Sequence, residues 1–123
     1  MEKELEKKLK EEFPTLFKDL YGDMTKTCMH WGVSFEKGWL PLLKETCQKI
    51  VDTGKTDAYF RQLKEKFGTL RMYIANGNSE IGKIIDEAEE RSAHICETCG
   101  KEGPEVETGG DHWLKTLCSD CRG

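Results

Sequence analysis

The chain has 123 residues, about the length of one ordinary domain. Charged residues make up 34% of it and the formal net charge is −4, which argues against a strongly basic nucleic-acid-binding protein. Its apolar runs are only a few residues long, far short of the ~20 residues of a transmembrane helix. The segment MEKELEKKLKEEF lacks the apolar core of a secretory signal. We therefore expect the six cysteines to lie in a reducing, cytoplasmic environment, where paired cysteines often hold metal.

The first predicted element is an amphipathic helix over residues 2–13. Its apolar side chains recur every four residues, with glutamate and lysine alternating between them. Residues 21–37 follow as an irregular segment. This segment nevertheless contains several large apolar side chains, among them Tyr21, Met29, Trp31 and Phe35. We therefore expect the loop to pack against the body of the protein.

A second helix is predicted from about Gly38 or Trp39 to Gly54. Pro41 fits in its first turn, and glycine commonly follows the last residue of a helix. Side chains at intervals of three and four define a stripe that we expect to be buried: Trp39, Leu40, Leu43, Cys47, Ile50 and Val51. Cys47 lies on this stripe, so we interpret it as a small core residue rather than a metal ligand or a nucleophile.

Residues 58–75 change to the alternation of apolar and polar side chains that is typical of β-strands. Phe67-Gly68 provides a turn within this segment, which predicts a small antiparallel hairpin. A third helix is predicted from Ser79 to Ile95, with apolar side chains on one face and several carboxylates on the other.

Two Cys-x-x-Cys pairs, Cys96 with Cys99 and Cys118 with Cys121, follow the third helix. Their separation is typical of a tetrahedral zinc site, in which each pair directs two thiolates at one ion. All four positions are cysteine, so none remains for water or substrate. We therefore predict one structural Zn²⁺ rather than a catalytic metal. Two disulfides or a redox dithiol are the alternatives.

The segment that carries the cysteines has too few apolar residues to fold unaided, and zinc binding can supply on the order of 10 kcal/mol of folding free energy. Between the two pairs, residues 105–108 and 112–116 flank Gly109-Gly110 and predict a second hairpin. The sequence thus predicts an α+β fold with two parts that form one compact domain. Residues 1-95 are the helical and β-hairpin body, and residues 96-123 are a zinc-ribbon or treble-clef module packed on it.

Residues 77–83 fit the phosphate-binding pattern Gly-x-x-x-x-Gly-Lys between a predicted strand and a predicted helix. Two residues count against nucleotide hydrolysis. Ile84 stands where a serine or threonine would bind magnesium, and Glu80 would place a negative charge in the phosphate cradle. We expect an ordinary helix start capped by Asn78 or Ser79. Anion contact at this helix N-terminus is the alternative.

Charge is unevenly distributed along the chain. Residues 55–71 hold five basic and two acidic residues, whereas residues 79–95 and 96–123 each carry a net charge of −3. An acidic zinc module is a poor reader of phosphates, so we place the candidate binding surface on the hairpin and the preceding loop. Its candidate residues are Lys64, Arg71, Tyr73 and Trp31. The alternative is an ordinary solvated sheet face.

The three histidines, His30, His94 and His112, have no catalytic partners nearby in the sequence. We interpret them as surface or packing residues. With no catalytic constellation assembled, the sequence predicts that the protein is not an enzyme.

Gly38-Trp39, the run KEKFGTLRMY at residues 64–73, the Cys-x-x-Cys-Gly at 96–100 and WLKTLC at 113–118 are similar to segments of small zinc-binding proteins of unknown function from tailed-phage genomes. The resemblance covers most of residues 36–121. It implies a phage or prophage origin and expression in the bacterial host cytoplasm. It carries no catalytic or binding residues to this chain.

These observations predict a non-enzymatic binding protein, a phage accessory factor that inhibits or sequesters a component of host defence. The expected partner is a host protein or a small anionic ligand such as a nucleotide-derived signal. A nucleic-acid-binding or transcription-linked zinc ribbon is one alternative, and a small nuclease or hydrolase is another. No membrane partner is expected, and the sequence does not determine the oligomeric state.

Overall fold

A computed structural model describes residues 1–110 and 113–122, and this part of the chain is an α+β protein, as predicted. The described residues form four α-helices: α1 (Lys3–Glu12), α2 (Leu40–Asp52), α3 (Ser79–Ser92) and α4 (Ser119–Arg122). They also form five strands: β1 (Val33–Ser34), β2 (Tyr59–Lys66), β3 (Thr69–Ala75), β4 (Glu107–Gly109) and β5 (Lys115–Leu117). Short 3-10 helices lie at Cys28–Trp31 and Lys37–Trp39. None of the described helices is long and apolar enough to cross a bilayer.

The main sheet has the strand order β1-β2-β3. β2 and β3 form the predicted antiparallel hairpin, and the two-residue strand β1 pairs with β2 in parallel. Phe67 and Gly68 make the turn of the hairpin, with φ angles of +54° and +82°. Two successive positive φ angles are typical of the type I′ turn, which matches the twist of the flanking strands. β1 was not predicted, because two residues are too few for an alternating pattern.

The main hydrophobic core joins apolar side chains from the three long helices and the three-stranded sheet. Phe17 and Phe60 pack edge to face in it, with their ring centroids 5.3 Å apart. The stripe predicted for α2 is largely confirmed, but it is wrong at Val51, which is 48% exposed. Leu42 is buried instead, because the core-facing side of the helix follows residues 39, 42, 43, 46, 47 and 50.

The irregular segment between α1 and α2 packs down only in part. Met29 and Phe35 are buried, as predicted, whereas Trp31 is 68% exposed. The carboxylate of Glu6 on α1 holds this segment in place. It accepts hydrogen bonds from the Val33 N–H at 2.5 Å and from the Tyr21 hydroxyl at 3.0 Å. Glu6 is itself buried, which the amphipathic pattern of α1 does not predict.

The phosphate-loop resemblance corresponds to a simple helix start. Asn78 is the N-cap of α3, and its Oδ1 accepts a hydrogen bond from the Ile81 N–H at 2.9 Å. Because the helix begins at Ser79, Gly82 lies inside it rather than in a loop. Only Asn76, Gly77 and Asn78 separate the helix from β3, which leaves little backbone to surround a phosphate.

The second predicted hairpin is present as the antiparallel pair β4 and β5. Asp111 and His112, between these strands, lie outside the described residues, so the interpretation of His112 as a surface or packing residue stays a prediction. A small separate apolar cluster in this part of the chain contains Val106 and two of the four cysteines.

Several polar contacts tie this cysteine-bearing part to the rest of the fold, among them the following three. The Thr116 hydroxyl donates to the Gly68 carbonyl at 2.5 Å. Arg91 on α3 makes two hydrogen bonds to the Glu102 carboxylate, at 3.0 and 3.2 Å. The third is a backbone contact at Gly38, described below. The proposed division at residue 95 stays a prediction. The contacts described above connect the two parts of the chain in several places.

Candidate metal centre and anion-binding cleft

The four predicted metal ligands meet at one point. The sulfur atoms of Cys96, Cys99, Cys118 and Cys121 all lie within 4.8 Å of one another, and the Sγ atoms of Cys99 and Cys118 are 3.6 Å apart. Zinc–sulfur bonds of about 2.3 Å in a tetrahedron place the sulfurs about 3.8 Å apart. A disulfide needs about 2.05 Å, and all four residues are free thiols. The geometry therefore fits four thiolates around one metal ion.

Each cysteine pair is folded by a local backbone hydrogen bond. The Gly100 N–H donates to the Cys96 carbonyl at 2.9 Å, and Gly100 adopts a φ of +86°, which glycine tolerates best. The Arg122 N–H donates to the Cys118 carbonyl at 3.0 Å, within the short helix α4. Both bonds close one turn around a pair, so the two sulfurs of each pair point the same way.

The acidities of the clustered thiols differ. Burial raises the pKa of Cys96, but hydrogen bonds from the backbone N–H groups of Cys99, Cys118 and Thr98 outweigh it and lower the pKa to about 6. Hydrogen bonds with the other three cysteines raise the pKa of Cys121 to about 12. Four adjacent thiols do not all ionise unaided. A cation that binds four thiolates must therefore displace protons, and metal affinity falls as the pH is lowered.

The body of the fold supports the first cysteine pair through main-chain contact. The Gly38 N–H donates to the Glu97 carbonyl at 2.7 Å, and a Cβ atom at Gly38 would overlap the carbonyl oxygens of Cys96 and Glu97. The indole N–H of the buried Trp39 donates to the Ile95 carbonyl at 2.8 Å. Gly38-Trp39 thus connects the metal centre to the start of α2.

Glu97 is a buried carboxyl within the first cysteine pair, only 2% exposed. Its Oε2 accepts a hydrogen bond from the Glu36 N–H at 3.1 Å, whereas its Oε1 has no partner among the described residues. Burial raises the pKa of this carboxyl. In the sequence, Glu97 is only one of the carboxylates of an acidic segment, since a glutamate between two cysteines gives no sign of burial.

Three of the four predicted binding residues lie in the hairpin, and Trp31 lies in the 3-10 helix at Cys28–Trp31, which contacts β2. Lys64 lies opposite Arg71 in the hairpin, and the Lys64 Nζ is 5.6 Å from the centroid of the Tyr73 ring. Arg71 is already engaged, since its guanidinium forms an ion pair with Glu89 on α3 at 3.2 Å. Trp31 packs edge-on against His30, with the ring centroids 4.8 Å apart.

A cleft of about 620 Å³ opens between the loop at residues 24–28 and the hairpin. It is lined by Met24, Thr25, Lys26, Thr27 and Cys28 from the loop, and by Arg61, Gln62, Met72, Tyr73 and Ile74 from the strands. The lining holds two cationic side chains, Lys26 and Arg61, and no carboxylate. Neither cation forms an ion pair within residues 1–110 and 113–122. Tyr73 is the one predicted binding residue that lines this cleft.

Arg61 occupies a bulge in the hairpin. Phe60 pairs with Ile74 and Gln62 pairs with Tyr73, so Arg61 has no partner across the ladder. A bulge bends its strand and redirects the extra side chain, and such bulges are frequent beside functional sites. Here the bulge lies where the strand borders the cleft. The sequence signals Arg61 only as one of five basic residues in a segment, because a bulge leaves no mark on the alternating pattern.

The opposite wall of the cleft is held by local hydrogen bonds. The Asp23 carboxylate accepts from the N–H and the hydroxyl of Thr25, at 2.9 and 2.7 Å. The Thr27 hydroxyl accepts from the Met29 N–H at 3.1 Å. These turns fix the loop that carries Lys26 and Cys28. Lys26 was not predicted as a binding residue, since a single lysine in an irregular segment forms no recognisable pattern.

No protein-family model matches the chain, and no curated protein or solved structure is significantly similar to it. Its function is therefore inferred from its own side chains. The resemblance of its motifs to phage zinc-binding proteins stays a prediction.

Proposed function

We propose that the protein is a non-enzymatic binding protein that holds one structural Zn²⁺ and binds an anionic group in the cleft between residues 24–28 and the hairpin. The observation that carries this proposal is the charge of the cleft. Lys26 and Arg61 line it without a carboxylate in the lining, although the whole chain has a net charge of −4. Arginine and lysine in a concave site are well suited to hold a phosphate or a carboxylate.

The choice of zinc follows from the chemistry of the four ligands. Soft thiolates at the corners of a tetrahedron favour zinc or iron over hard cations such as magnesium and calcium. Four cysteines fill the coordination shell and leave no position for a substrate, so the ion acts on the fold. The zinc module stabilises the protein, and the cleft is the surface that binds.

We assign no catalytic residue. The lining of the cleft includes neither a carboxylate nor a histidine that would act as a general base in it. The bound anion belongs to a host protein or is a small nucleotide-derived ligand. Together with the motif resemblance, this supports a phage accessory factor that sequesters a host-defence component in the bacterial cytoplasm.

Nucleic-acid binding is the second candidate, and one observation favours it. Phe67 and Trp113 are large exposed aromatic residues that line one groove of about 400 Å³ together with Lys66. Exposed aromatic rings beside a cation can stack with the bases of a single strand. The acidic segments at residues 79–95 and 96–123 oppose this function, because they repel a long phosphate backbone.

The test is an NMR titration of the zinc-loaded protein with pyrophosphate, a compact anion without a base. We expect backbone amide shifts in residues 24–28 and 61–62. The double variant Lys26→Gln with Arg61→Gln should lose them. The matched control, Lys8→Gln with Lys10→Gln on the exposed face of α1, removes the same charge and should keep them.

If pyrophosphate caused backbone amide shifts of equal size in the cleft variant and in the control variant, the proposal would be contradicted. A parallel titration with single-stranded oligonucleotides at two salt concentrations tests the second candidate. Binding that weakens steeply with salt, and that is lost on Phe67→Ala and Trp113→Ala but not on Arg61→Gln, would favour nucleic acid.

A further inference from the structure

The cleft between residues 24–28 and the hairpin is lined by two chemically different kinds of side chain. Lys26 and Arg61 supply positive charge, while an apolar and aromatic surface is provided by Met24, Met72, Tyr73 and Ile74. Its volume of about 620 Å³ lies within the range of ~300–1,000 Å³ that is usual for sites that bind organic ligands. An inorganic anion would contact the cations and leave the aromatic and apolar side chains uncovered.

From this arrangement we infer that the cleft binds a mononucleotide, with the phosphate on Arg61 and Lys26 and the base against the Tyr73 ring. This inference rests on the proposed function and names its ligand class. The phenol ring of Tyr73 is partly exposed, so a base can stack on it. Gln62 lies opposite Tyr73 across the ladder and also lines the cleft. Its amide offers both a donor and an acceptor to a base edge or a ribose hydroxyl.

The bulge makes this placement specific. In a regular ladder, neighbouring residues of β2 point to opposite faces of the sheet. The extra residue at Arg61 interrupts that alternation, and Arg61 and Gln62 both line the cleft. The proposed phosphate-binding residue Arg61 and the proposed base-binding residue Gln62 are thereby neighbours in one strand.

A single nucleotide fits the charge of the surroundings better than a strand of nucleic acid does. Two cations line the cleft, enough to neutralise one phosphate group. A longer polyanion would extend over a protein whose net charge is −4 and whose α3 and zinc-module segments are both acidic. The repulsion grows with each added phosphate, so we expect a mononucleotide to bind more tightly than a strand of nucleic acid.

The reactivity of the Cys28 thiol can report whether a ligand occupies the cleft. It is exposed and lines the cleft, whereas Cys47 is fully buried and burial raises its pKa. In the zinc-loaded protein the other four cysteines are held as metal ligands. Alkylation by iodoacetamide should therefore label Cys28 first, and a nucleotide in the cleft should shield it.

The experiment measures the rate of Cys28 alkylation by mass spectrometry on the zinc-loaded full chain. The probes are AMP, GMP, CMP, UMP, adenosine and pyrophosphate, each added separately. We expect at least one nucleoside monophosphate to slow the alkylation by about tenfold or more at saturation and to bind about tenfold tighter than either adenosine or pyrophosphate. Arg61→Gln should weaken that nucleotide by about tenfold, and so should Tyr73→Leu. Lys10→Gln should not.

The outcomes distinguish a failure of the nucleotide inference from a failure of the proposed anion binding. Protection by pyrophosphate but by none of the four nucleotides would overturn the nucleotide inference and leave anion binding intact. Protection by neither class, with no NMR shifts in the cleft, would overturn both. Wild-type nucleotide affinity in Tyr73→Leu, confirmed as folded by circular dichroism, would also overturn the inference, because the base would then not contact the ring.

Discussion

The main chain of Gly38 lies directly against the main chain of Glu97, and the Gly38 N–H donates a hydrogen bond of 2.7 Å to the Glu97 carbonyl. Glu97 lies between Cys96 and Cys99, two of the four candidate metal ligands. The contact therefore joins the candidate metal centre to the start of α2 through main-chain atoms alone. Only the absence of a side chain at Gly38 allows it, because a Cβ atom there would overlap two carbonyl oxygens.

We predict that Gly38→Ala lowers the free energy of unfolding by ~1–3 kcal/mol and weakens metal binding. The added methyl group meets backbone, which cannot move without displacing Cys96. Urea unfolding and competition with a chromophoric chelator measure the two effects. Gly82→Ala is the matched control, because Gly82 is helical and, apart from its chain neighbours and the backbone of its own helix, no described atom lies within 4 Å of the added Cβ. It should raise stability by ~0.5–1 kcal/mol. A Gly38→Ala protein as stable as wild type would contradict the contact.

The four-thiolate site predicts about one zinc ion per chain by elemental analysis. Cys118→Ser removes one ligand from the buried side of the cluster, so it should release the metal and unfold the segment from Cys96 onward. Cys28→Ser is the control, since it alters an exposed thiol outside the cluster and should retain the ion. Full stability of the metal-free wild-type protein, with four reactive thiols, would show that the cluster does not need zinc.

A third prediction concerns the buried carboxylate of Glu6. Glu6→Ala leaves the Val33 N–H without its acceptor in a buried position and frees the Tyr21 hydroxyl. We expect a loss of ~1–3 kcal/mol in unfolding free energy, with faster hydrogen exchange across residues 21–34. Glu11→Ala on the exposed face of the same helix should change stability by less than ~0.5 kcal/mol. Equal effects of the two substitutions would show that the Glu6 hydrogen bonds contribute little.

The hydrogen bond between Tyr21 and Glu6 also makes the stability of the protein depend on pH. Burial raises the pKa of Tyr21 to about 12, together with its hydrogen bond to Glu6 and the negative charge of that carboxylate. Because the folded state holds the phenol proton more tightly than the unfolded state, this contribution to stability is complete below about pH 10. It is lost as the pH rises toward 12. Absorbance titration of the three tyrosines should show a late component that Tyr21→Phe removes. A titration unchanged by Tyr21→Phe would contradict the shift.

The sequence predicted the elements whose apolar side chains recur with a regular period. It also predicted the site whose cysteines have a fixed spacing. Periodicity located three helices and the hairpin, and the spacing of the Cys-x-x-Cys pairs identified four residues that meet within 4.8 Å. A hairpin turn at Phe67-Gly68 was also predicted, and its type follows from the positive φ angles of the structure. These features depend on neighbours along the chain, which a sequence displays.

The cleft could not be predicted in the same way. Arg71 and Tyr73 follow the strand pattern and were chosen for it, but the pattern does not show that Glu89 pairs with Arg71. Arg61 and Lys26 are 35 positions apart and meet only because a bulge and a hydrogen-bonded loop border one space. Contacts between distant elements, and irregularities within elements, decide which charges remain unpaired.

The hairpin turn provides a last prediction. Phe67 adopts a φ of +54° with its ring 64% exposed, a conformation that is costly for a bulky side chain and that asparagine tolerates well. Phe67→Asn should therefore raise the free energy of unfolding by ~0.5–1 kcal/mol, after allowing for the lost contact with the Lys66 ammonium group. Phe67→Val should lower it, because a β-branched side chain is worse at positive φ. The comparison by urea unfolding separates backbone strain from apolar exposure, since both variants remove the exposed ring. If Asn and Val shifted stability in the same direction, the strain would not be the cause.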